Sequence, residues 1–309
     1  MAILLAPISG PESDWRALLA KALPGREVRY YPEIGDPASI DVACVARIPR
    51  GFLASLPNLR LICSLFAGQE VLLADPTLPK NVPIVRTGNT DGDRLMDENA
   101  LMHVLRHHRG LPDYALAQQR HEWARKRVLR PHERTVGVMG LGPIGLGVAQ
   151  CLARHGFKTA AWARSKRALD GIEVFAGRGE LPAFLGRSEI VVCLLPLTRE
   201  TENILDRAAF AAMPKGGAVI NLARGQHVVE GDLMAALDAG HLNSATLDVF
   251  REEPLPKESP IWAHPRITLM PHVSRRHDPV DIAPRIAEHV ERLERGEPPQ
   301  QVVDREAGY

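Results

Sequence analysis

Short apolar runs alternate with amphipathic, helix-like stretches in the first hundred residues. Four of these runs have the length and apolar composition of strands. We predict strands at Ile3–Ala6, Val28–Tyr31, Val42–Ala46 and Leu61–Leu65, and a helix at Glu12–Ala22. Alternation of this kind is typical of a parallel sheet covered by helices.

A more regular alternation follows a long helical stretch at 97–123, which Pro112 is expected to break into two helices. Apolar strand-like runs with helical patterns between them predict a doubly wound open sheet. Its strands are predicted at Val136–Met139, Thr159–Trp162, Ile190–Leu195, Ala218–Leu222, Ala245–Val249 and Ile267–Met270, with helices at Ile144–Arg154, Asp206–Ala212, Glu230–Ala239 and Asp281–Arg295.

The element pattern predicts an α/β protein of two domains, for which 309 residues are long enough. A domain with a doubly wound parallel sheet is expected at 98–272. A smaller α/β domain is expected at 1–97 with 273–309. The smaller domain is discontinuous because the charged tail helix is expected to pack back against the first strands.

Composition excludes several classes of function. The chain has 38 Lys and Arg against 37 Asp and Glu, so no basic excess favours nucleic acid or an anionic membrane. No apolar run is long enough to span a membrane, and the short apolar start is expected to be a strand rather than a signal peptide. Four well-separated cysteines, each in an apolar run, predict buried thiols in the reducing cytoplasm: Cys44, Cys63, Cys151 and Cys193.

A glycine-rich loop joins the first predicted strand of the 98–272 domain to a helix. The segment 136–145 has the pattern G-x-G-x-x-G, in which Gly140 permits the tight turn, Gly142 lets the backbone approach a pyrophosphate and Gly145 permits close helix packing. The helix N-terminus offers free N–H groups to the phosphates. We therefore predict dinucleotide binding, with Pro143 and Ile144 also at the cofactor.

A basic turn follows the next strand, where NAD-binding units usually carry an acid for the ribose 2′-OH. The chain has instead Arg164, Ser165, Lys166 and Arg167. Arg164 suits a 2′-phosphate through paired N–H donors, and an acid would repel that group. The turn predicts a preference for NADPH, with Arg164, Ser165 and Lys166 at the cofactor.

Three predicted strands of the 98–272 domain end in residues suited to keto-acid chemistry. Arg224 presents a planar fork for a carboxylate and can polarise the adjacent carbonyl. His272 can give and take a proton near neutral pH, and Glu253 is expected to orient the imidazole and favour its cationic form. Neighbouring strand ends are expected to contact the cofactor through Leu195, Pro196 and Ala223.

Several segments together resemble the D-isomer-specific 2-hydroxyacid dehydrogenase family. They are Asn221-Leu222-Ala223-Arg224-Gly225, the stretch from Leu247 to Pro256, and the stretch from Trp262 to Val273. With the Trp-Ala-Arg-Ser turn and the ending at 296–309, the chain most resembles the glyoxylate/hydroxypyruvate reductase A branch. The resemblance covers nearly the whole chain and is most specific from about Gly137 to His272.

The resemblance implies NADPH-dependent reduction of small 2-keto acids, with NADH as a second cofactor. It implies catalytic roles for Arg224, Glu253 and His272, and places Asp248 near the nicotinamide. It further implies that 98–272 form a Rossmann cofactor domain and that 1–97 with 273–309 form a split, flavodoxin-like α/β substrate domain. It also implies a homodimer formed through the long central helices. Substrate contacts are expected from Arg47, Ala67, Gly68, Arg224 and His272.

The substrate domain departs from the family pattern. The family usually has a Gly-Ala-Gly-Val-Asp-like loop that binds the substrate carboxylate, and here Phe66 replaces its small first residue. After His272 the family tends to have small residues, whereas this chain has Arg275, Arg276 and His277. These changes fit a bulkier or more anionic substrate, and they equally fit neutral surface variation.

Two other functions compete with the reductase function. Another dehydrogenase of the same superfamily, acting on a phosphonate, a phosphoglycerate or a bulkier keto acid, is one alternative. A non-catalytic NAD(P)-sensing protein is the other, and the Arg224, Glu253 and His272 set argues against it.

His103 and His107 have the spacing of a metal pair, but no third ligand is evident, so no metal is expected. His107 and His108 are expected on a solvated helix face.

Overall fold

The structure is a computed structural model that describes residues 1–6, 12–66, 68–87, 94–275 and 279–306. Within it the chain divides into two compact units, Met1–Asn89 with Arg276–Tyr309, and Thr90–Arg275. The domain boundaries inferred from the sequence, at 97/98 and 272/273, remain a prediction. The elements run in the order β1 (Ala2–Ala6), α1 (Glu12–Ala22), β2 (Glu27–Tyr30), β3 (Ile40–Val45), β4 (Leu61–Ser64), α2 (Glu70–Leu73), β5 (Ile84–Arg86), α3 (Arg94–His108), α4 (Leu111–Gln119), β6 (Thr135–Met139), α5 (Pro143–Arg154), β7 (Lys158–Ala163), β8 (Ile172–Ala176), α6 (Gly177–Arg187), β9 (Ile190–Cys193), α7 (Arg207–Ala212), β10 (Gly217–Asn221), α8 (Glu230–Asp238), β11 (Leu242–Leu247), β12 (Ile267–Leu269) and α9 (Pro279–Glu294).

The first unit contains a parallel sheet with strand order β2-β1-β3-β4-β5. This order is the flavodoxin-like one, and it confirms the predicted fold of the smaller part. One face of the sheet is covered by α1 and α9, whose Trp15, Leu19, Ile282 and Ile286 join the core around Val42. The sequence missed β5, because three residues are too few to show a periodic pattern.

The second unit contains a parallel sheet with strand order β12-β11-β10-β9-β6-β7-β8. Strand order reverses at β6, as in the doubly wound dinucleotide-binding fold, and this confirms the predicted fold class. The sequence missed β8, an edge strand that follows Gly171 directly and buries only alternate residues. All carboxyl ends of these strands lie at one edge of the sheet.

The long helical stretch divides into α3 and α4, as Pro112 predicted. Gly110, in the left-handed region at φ 68°, caps α4, and Pro112 occupies its first turn. The expectation of a solvated histidine face on α3 was wrong, because His107 and His108 are both buried. His107 lies between the hydroxyl groups of Ser244 and Thr246 on β11.

The four cysteines are free and buried, which confirms the predicted burial. Trp162 is also buried and donates to the carbonyl of Gly177 over 2.8 Å, whereas Trp123 is exposed. No helix among the described residues is both long and apolar enough to cross a membrane. The same part of the chain has no group of three or more His, Cys, Asp or Glu side chains placed to hold a metal ion.

Candidate active site

The glycine loop has the close packing that its three glycines predict. Gly140 lies at φ 99°, and a Cβ there would approach the carbonyl oxygen of Leu194 to 2.8 Å. A Cβ on Gly145 would overlap the carbonyl oxygen of Gly140. The loop therefore leads directly from β6 into α5, and side chains at these two positions would push the elements apart.

The start of α5 fits a dinucleotide diphosphate. Gly142 is the N-cap residue, no side chain caps the helix, and a Cβ at this position would meet nothing within 4 Å. Pro143 and Ile144 form the first turn, at the positive end of the helix dipole. Open space beside backbone amides is what close approach of a phosphate requires.

The basic turn after β7 is exposed, as expected for a group that meets a ribose phosphate. Arg164 and Ser165 lie on its surface. Lys166 is paired with Glu180 over 3.1 Å, so its charge is already partly balanced. Arg167, which the sequence prediction left out of the site, donates to the carbonyl of Leu141 over 2.5 Å and ties this turn to the glycine loop.

The loops after β9 and β10 are held together by a buried histidine. His227 lies with Nε2 3.2 Å from the carbonyl of Pro196 and with Nδ1 3.2 Å from the amide of Arg224. Nδ1 also lies 3.1 Å from the carbonyl oxygen of Arg224. Leu195, Pro196 and Ala223 thus lie at the same sheet edge as the glycine loop. No motif in the sequence indicates this role of His227.

Arg224 is positioned by a closed turn at the end of β10. Asn221 donates through Nδ2 to the carbonyl of Arg224 over 2.9 Å and accepts from the amide of Ala223 over 3.2 Å. The guanidinium is half-buried and donates to the carbonyl of Ala223 over 2.7 Å. A Cβ on Gly225 would overlap the backbone of Phe250, so the Arg224 turn lies directly against the loop after β11.

Asp248 binds three consecutive backbone amides of the segment that carries His272. Its carbonyl accepts from His272 over 2.8 Å, and its carboxylate accepts from Val273 over 2.8 Å and from Ser274 over 2.9 Å. His272 has φ 53°, a left-handed conformation that is uncommon outside glycine. The three bonds hold the backbone in this conformation. We call this arrangement the Asp248 clamp.

His272 and Glu253 form a direct pair. The distance from Nδ1 of His272 to Oε2 of Glu253 is 2.7 Å, and Oε1 of Glu253 accepts from the amide of Phe250 over 3.0 Å. The carboxylate is thus fixed at both oxygens, and it fixes the imidazole with Nδ1 as the donor. Nε2 is left for a reacting group, and the His272 side chain is 48% exposed. Such a pair suits general acid–base work.

The structure brings the three predicted catalytic side chains to one edge of one sheet. Glu253 and His272 are in contact, and the Arg224 turn abuts Phe250. Their assignment as catalytic residues stays a prediction, as does the assignment of every cofactor and substrate residue.

The substrate residues predicted in the first unit lie beyond β3 and β4, whose paired ends are Val45 and Ser64. Arg47 is exposed and Gly68 is half-buried. Ala67, Arg276 and His277 lie outside the described residues. Phe66 packs against the core of this unit, and its carbonyl accepts from Nε2 of Gln69 over 2.9 Å.

The chain is similar to known proteins over most of its length. Residues 101–274 match the family model described as "D-isomer specific 2-hydroxyacid dehydrogenase, NAD binding domain". Glyoxylate/hydroxypyruvate reductase A of Serratia proteamaculans is 41% identical over 304 residues, with 96% of each chain covered. The protein of that name from Klebsiella pneumoniae is 40% identical over 300 residues, again with 96% of each chain covered.

Two solved structures are similar over the whole chain. A D-isomer specific 2-hydroxyacid dehydrogenase of Xanthobacter autotrophicus in complex with NADPH and MES has a TM-score of 0.94 and 40% identity, and the match covers 100% of this chain and 99% of that one. An NADPH-dependent glyoxylate/hydroxypyruvate reductase of Sinorhizobium meliloti in complex with NADP and sulfate has a TM-score of 0.92 and 35% identity, with 100% of each chain covered.

Proposed function

The chain belongs to the D-isomer specific 2-hydroxyacid dehydrogenase family, and we propose that it is an NADPH-dependent reductase of small 2-keto acids such as glyoxylate and hydroxypyruvate. The observation that carries the proposal is the His272–Glu253 pair, 2.7 Å apart, at the sheet edge that also presents Arg224 and the glycine loop. Relatives of 40% and 41% identity bear the name glyoxylate/hydroxypyruvate reductase A.

NADPH is the cofactor that the chain's own residues fit best. The glycine loop and the start of α5 accommodate a diphosphate, and the turn at Arg164 and Ser165 offers a guanidinium and a hydroxyl where a 2′-phosphate would lie. The similar proteins of Xanthobacter and Sinorhizobium were crystallised with NADPH and NADP. NADPH when bound supplies the hydride for the carbonyl carbon.

His272 supplies the proton in this proposal. Glu253 accepts from Nδ1 and keeps the ring oriented, so that Nε2 donates to the carbonyl oxygen as the alkoxide charge develops. The product is the 2-hydroxy acid, and His272 is left neutral until it takes a proton from solvent.

Arg224 binds and polarises the substrate. Its planar guanidinium pairs with the carboxylate, and an N–H directed at the adjacent carbonyl oxygen stabilises charge there. The assignment of Arg47, Ala67 and Gly68 as substrate residues stays a prediction from the family resemblance. Asp248 serves the same reaction by holding the His272 backbone.

We also propose that two copies of the chain form a homodimer through α3, α4 and the segment after them. Large apolar side chains of this region are exposed, and Trp123 has 89% of its surface accessible. Leu95 and Met102 are seven residues apart and so share one face of α3. An exposed apolar surface of this kind fits a second copy of the same chain.

The four buried free thiols fit a reducing, cytoplasmic location.

A panel of 2-keto acids tests the reaction. The purified protein is mixed with NADPH or NADH and with glyoxylate, hydroxypyruvate, pyruvate or phenylpyruvate, and the loss of reduced cofactor is followed by absorbance. We expect oxidation of NADPH with glyoxylate and hydroxypyruvate, and a higher kcat/KM than with NADH. Tight NADPH binding without oxidation on any of the four acids would mean a cofactor-sensing protein without turnover.

A further inference from the structure

A row of polar side chains on α3 faces a second row on β11. Asn99, His103 and His107 are spaced four residues apart, so they lie on one face of the helix. Ser244 and Thr246 lie on one face of β11, and Asp248, which directly follows the strand, continues their two-residue spacing. Four residues of a helix and two residues of a strand both span roughly 6 Å along their axes. Successive members of the two rows are therefore separated by about the same distance. We call this arrangement the α3–β11 seam.

The seam is hydrogen-bonded at both ends. His107 lies 2.8 Å from Ser244 Oγ and 2.9 Å from Thr246 Oγ1. Asn99 accepts from the hydroxyl of Ser274 over 3.3 Å, next to the amide that the Asp248 carboxylate binds. The helical row therefore extends from the middle of β11 to the segment that carries His272.

His103 occupies the middle of the seam and is only 2% exposed. Neither of its ring nitrogens has a hydrogen-bond partner among the described residues. Burying such a nitrogen without a partner is unfavourable, so a buried imidazole in this state calls for a hydrogen-bonding ligand. Its position in the row, one turn from His107, directs it toward the Asp248 end of β11.

The charges around His103 favour a neutral ring with one N–H donor. Burial lowers its pKa below the ordinary value of 6.5, the charge of Arg106 acts in the same direction, and the carboxylate of Asp248 opposes them. Each carboxylate oxygen of Asp248 accepts one backbone amide, and a carboxylate oxygen has room for a second donor. A donor is thus available on one side and an acceptor on the other.

We propose that His103 is a positioning residue that donates, through an enclosed water molecule, to the carboxylate of Asp248 and so stiffens the Asp248 clamp. The water accepts a hydrogen bond from the buried ring nitrogen and donates one to the carboxylate. Internal water molecules in proteins usually bind buried polar groups that otherwise lack a partner. Loss of the bridge frees the carboxylate to move, and with it the strained backbone of His272. The kinetic consequence depends on the proposed reductase function.

The kinetic test compares His103→Leu with His103→Gln, because glutamine restores a donor that leucine lacks. We expect His103→Leu to lower kcat by about tenfold, on the scale of lost supporting contacts around a reactive group. The KM for NADPH should change little, and His103→Gln should recover most of the lost kcat. Equal losses in both variants, or wild-type kcat in His103→Leu, would overturn the proposal.

His107→Gln is the matched control, since it alters a buried histidine of the same seam that does not face Asp248. We expect it to reduce the stability of the fold and to leave kcat close to that of the wild type. A loss of kcat as large as in His103→Leu would show that any damage to the seam slows the reaction, and this too would overturn the proposal.

A crystal structure at high resolution gives a readout that does not need turnover. In the wild type we expect density for a water about 3 Å from a His103 ring nitrogen and from an Asp248 carboxylate oxygen, and in His103→Leu we expect that density to be absent. A dry cavity in the wild type would overturn the inference. If no keto acid is reduced, the proposed function fails, while the water still decides the inference about His103.

Discussion

The conformation of His272 depends on a neighbouring acid rather than on its own backbone preference. Histidine at φ 53° is unfavourable by itself, and strain of this kind persists only where the surroundings over-determine it. Asp248 provides that constraint through bonds to three consecutive amides. The same residue that the family resemblance placed near the nicotinamide therefore has a second, structural reason to be an acid.

At the residue scale, the identity of the side chain after β7 should decide the choice of cofactor. Arg164→Asp removes a guanidinium and adds a charge that repels a 2′-phosphate, so the ratio of kcat/KM for NADPH to that for NADH should fall by about a hundredfold. Steady-state kinetics with both cofactors measure it.

Arg187→Asp makes the same change of charge at a distant exposed site on α6, where Arg187 pairs with Glu173. It should leave the cofactor ratio unchanged. An Arg164→Asp variant that keeps the wild-type ratio would remove Arg164 from cofactor recognition.

The residue types of the site and the pairing of His272 with Glu253 were predicted from the sequence, whereas the partners of the basic turn were not. The placement of Arg224, Glu253 and His272 after predicted strands led to the arrangement that the structure shows at one sheet edge. The ion pair of Lys166 with Glu180 was missed, because Glu180 lies on α6, and no helix was predicted there. The contact of Arg167 with Leu141 was missed for a similar reason, since it joins loops 26 residues apart.

At the element scale, α3 shows why the burial of a polar residue is hard to infer from its own helix. Its mixture of histidine, arginine and apolar residues fits a solvated face as well as a buried one. What decides the matter is the partner strand, where Ser244 and Thr246 offer hydroxyl groups at the spacing of the sheet. The pairing of two distant polar patterns is information that neither segment contains alone.

The burial of His107 predicts an acid-sensitive fold. Burial, with the charges of His103, Arg106 and Arg134, lowers the pKa of His107 from 6.5 to about 3. Between these values the unfolded chain binds a proton that the folded chain does not, so stability is complete above pH 6.5 and falls as the pH falls toward 3. The slope is about 1.4 kcal/mol per pH unit within that window.

Unfolding by urea at pH 7.5 and at pH 5 measures this effect. The loss of stability on acidification should be smaller in His107→Gln than in the wild type by about 2 kcal/mol. His103, His108 and His289 are present in both proteins, so the difference between the two losses reports on His107 and on its charge interaction with His103. Equal losses in the two proteins would contradict the assignment.

At the scale of the whole molecule, the fold class of each unit was the most predictable feature. Each unit is a series of alternating strands and helices, and short right-handed connections leave few ways to arrange them. The short or edge strands β5 and β8 were not predicted, because half-buried runs of three to five residues have a weak pattern. The sequence alone does not show how the chain from 248 to 272 folds to bring Glu253 into contact with His272.

The proposed homodimer is a whole-molecule prediction. Sedimentation should give twice the 34.0 kDa mass of one chain. Met102→Glu places a charge on the exposed apolar face of α3 and should yield monomers, because a buried unpaired charge opposes association. Val280→Glu, at an exposed apolar residue of α9, is the control and should sediment like the wild type. A monomeric wild type would contradict the proposal.

The central claim is that His272, held by Glu253, gives the proton while a keto acid is reduced by NADPH. The most direct measurement is the single-turnover rate of NADPH oxidation in His272→Asn, together with its Kd for NADPH. We predict a rate constant lower by about a hundredfold or more, with NADPH binding retained, because general acid catalysis contributes on this scale. A variant that oxidises NADPH at the wild-type rate would contradict the account.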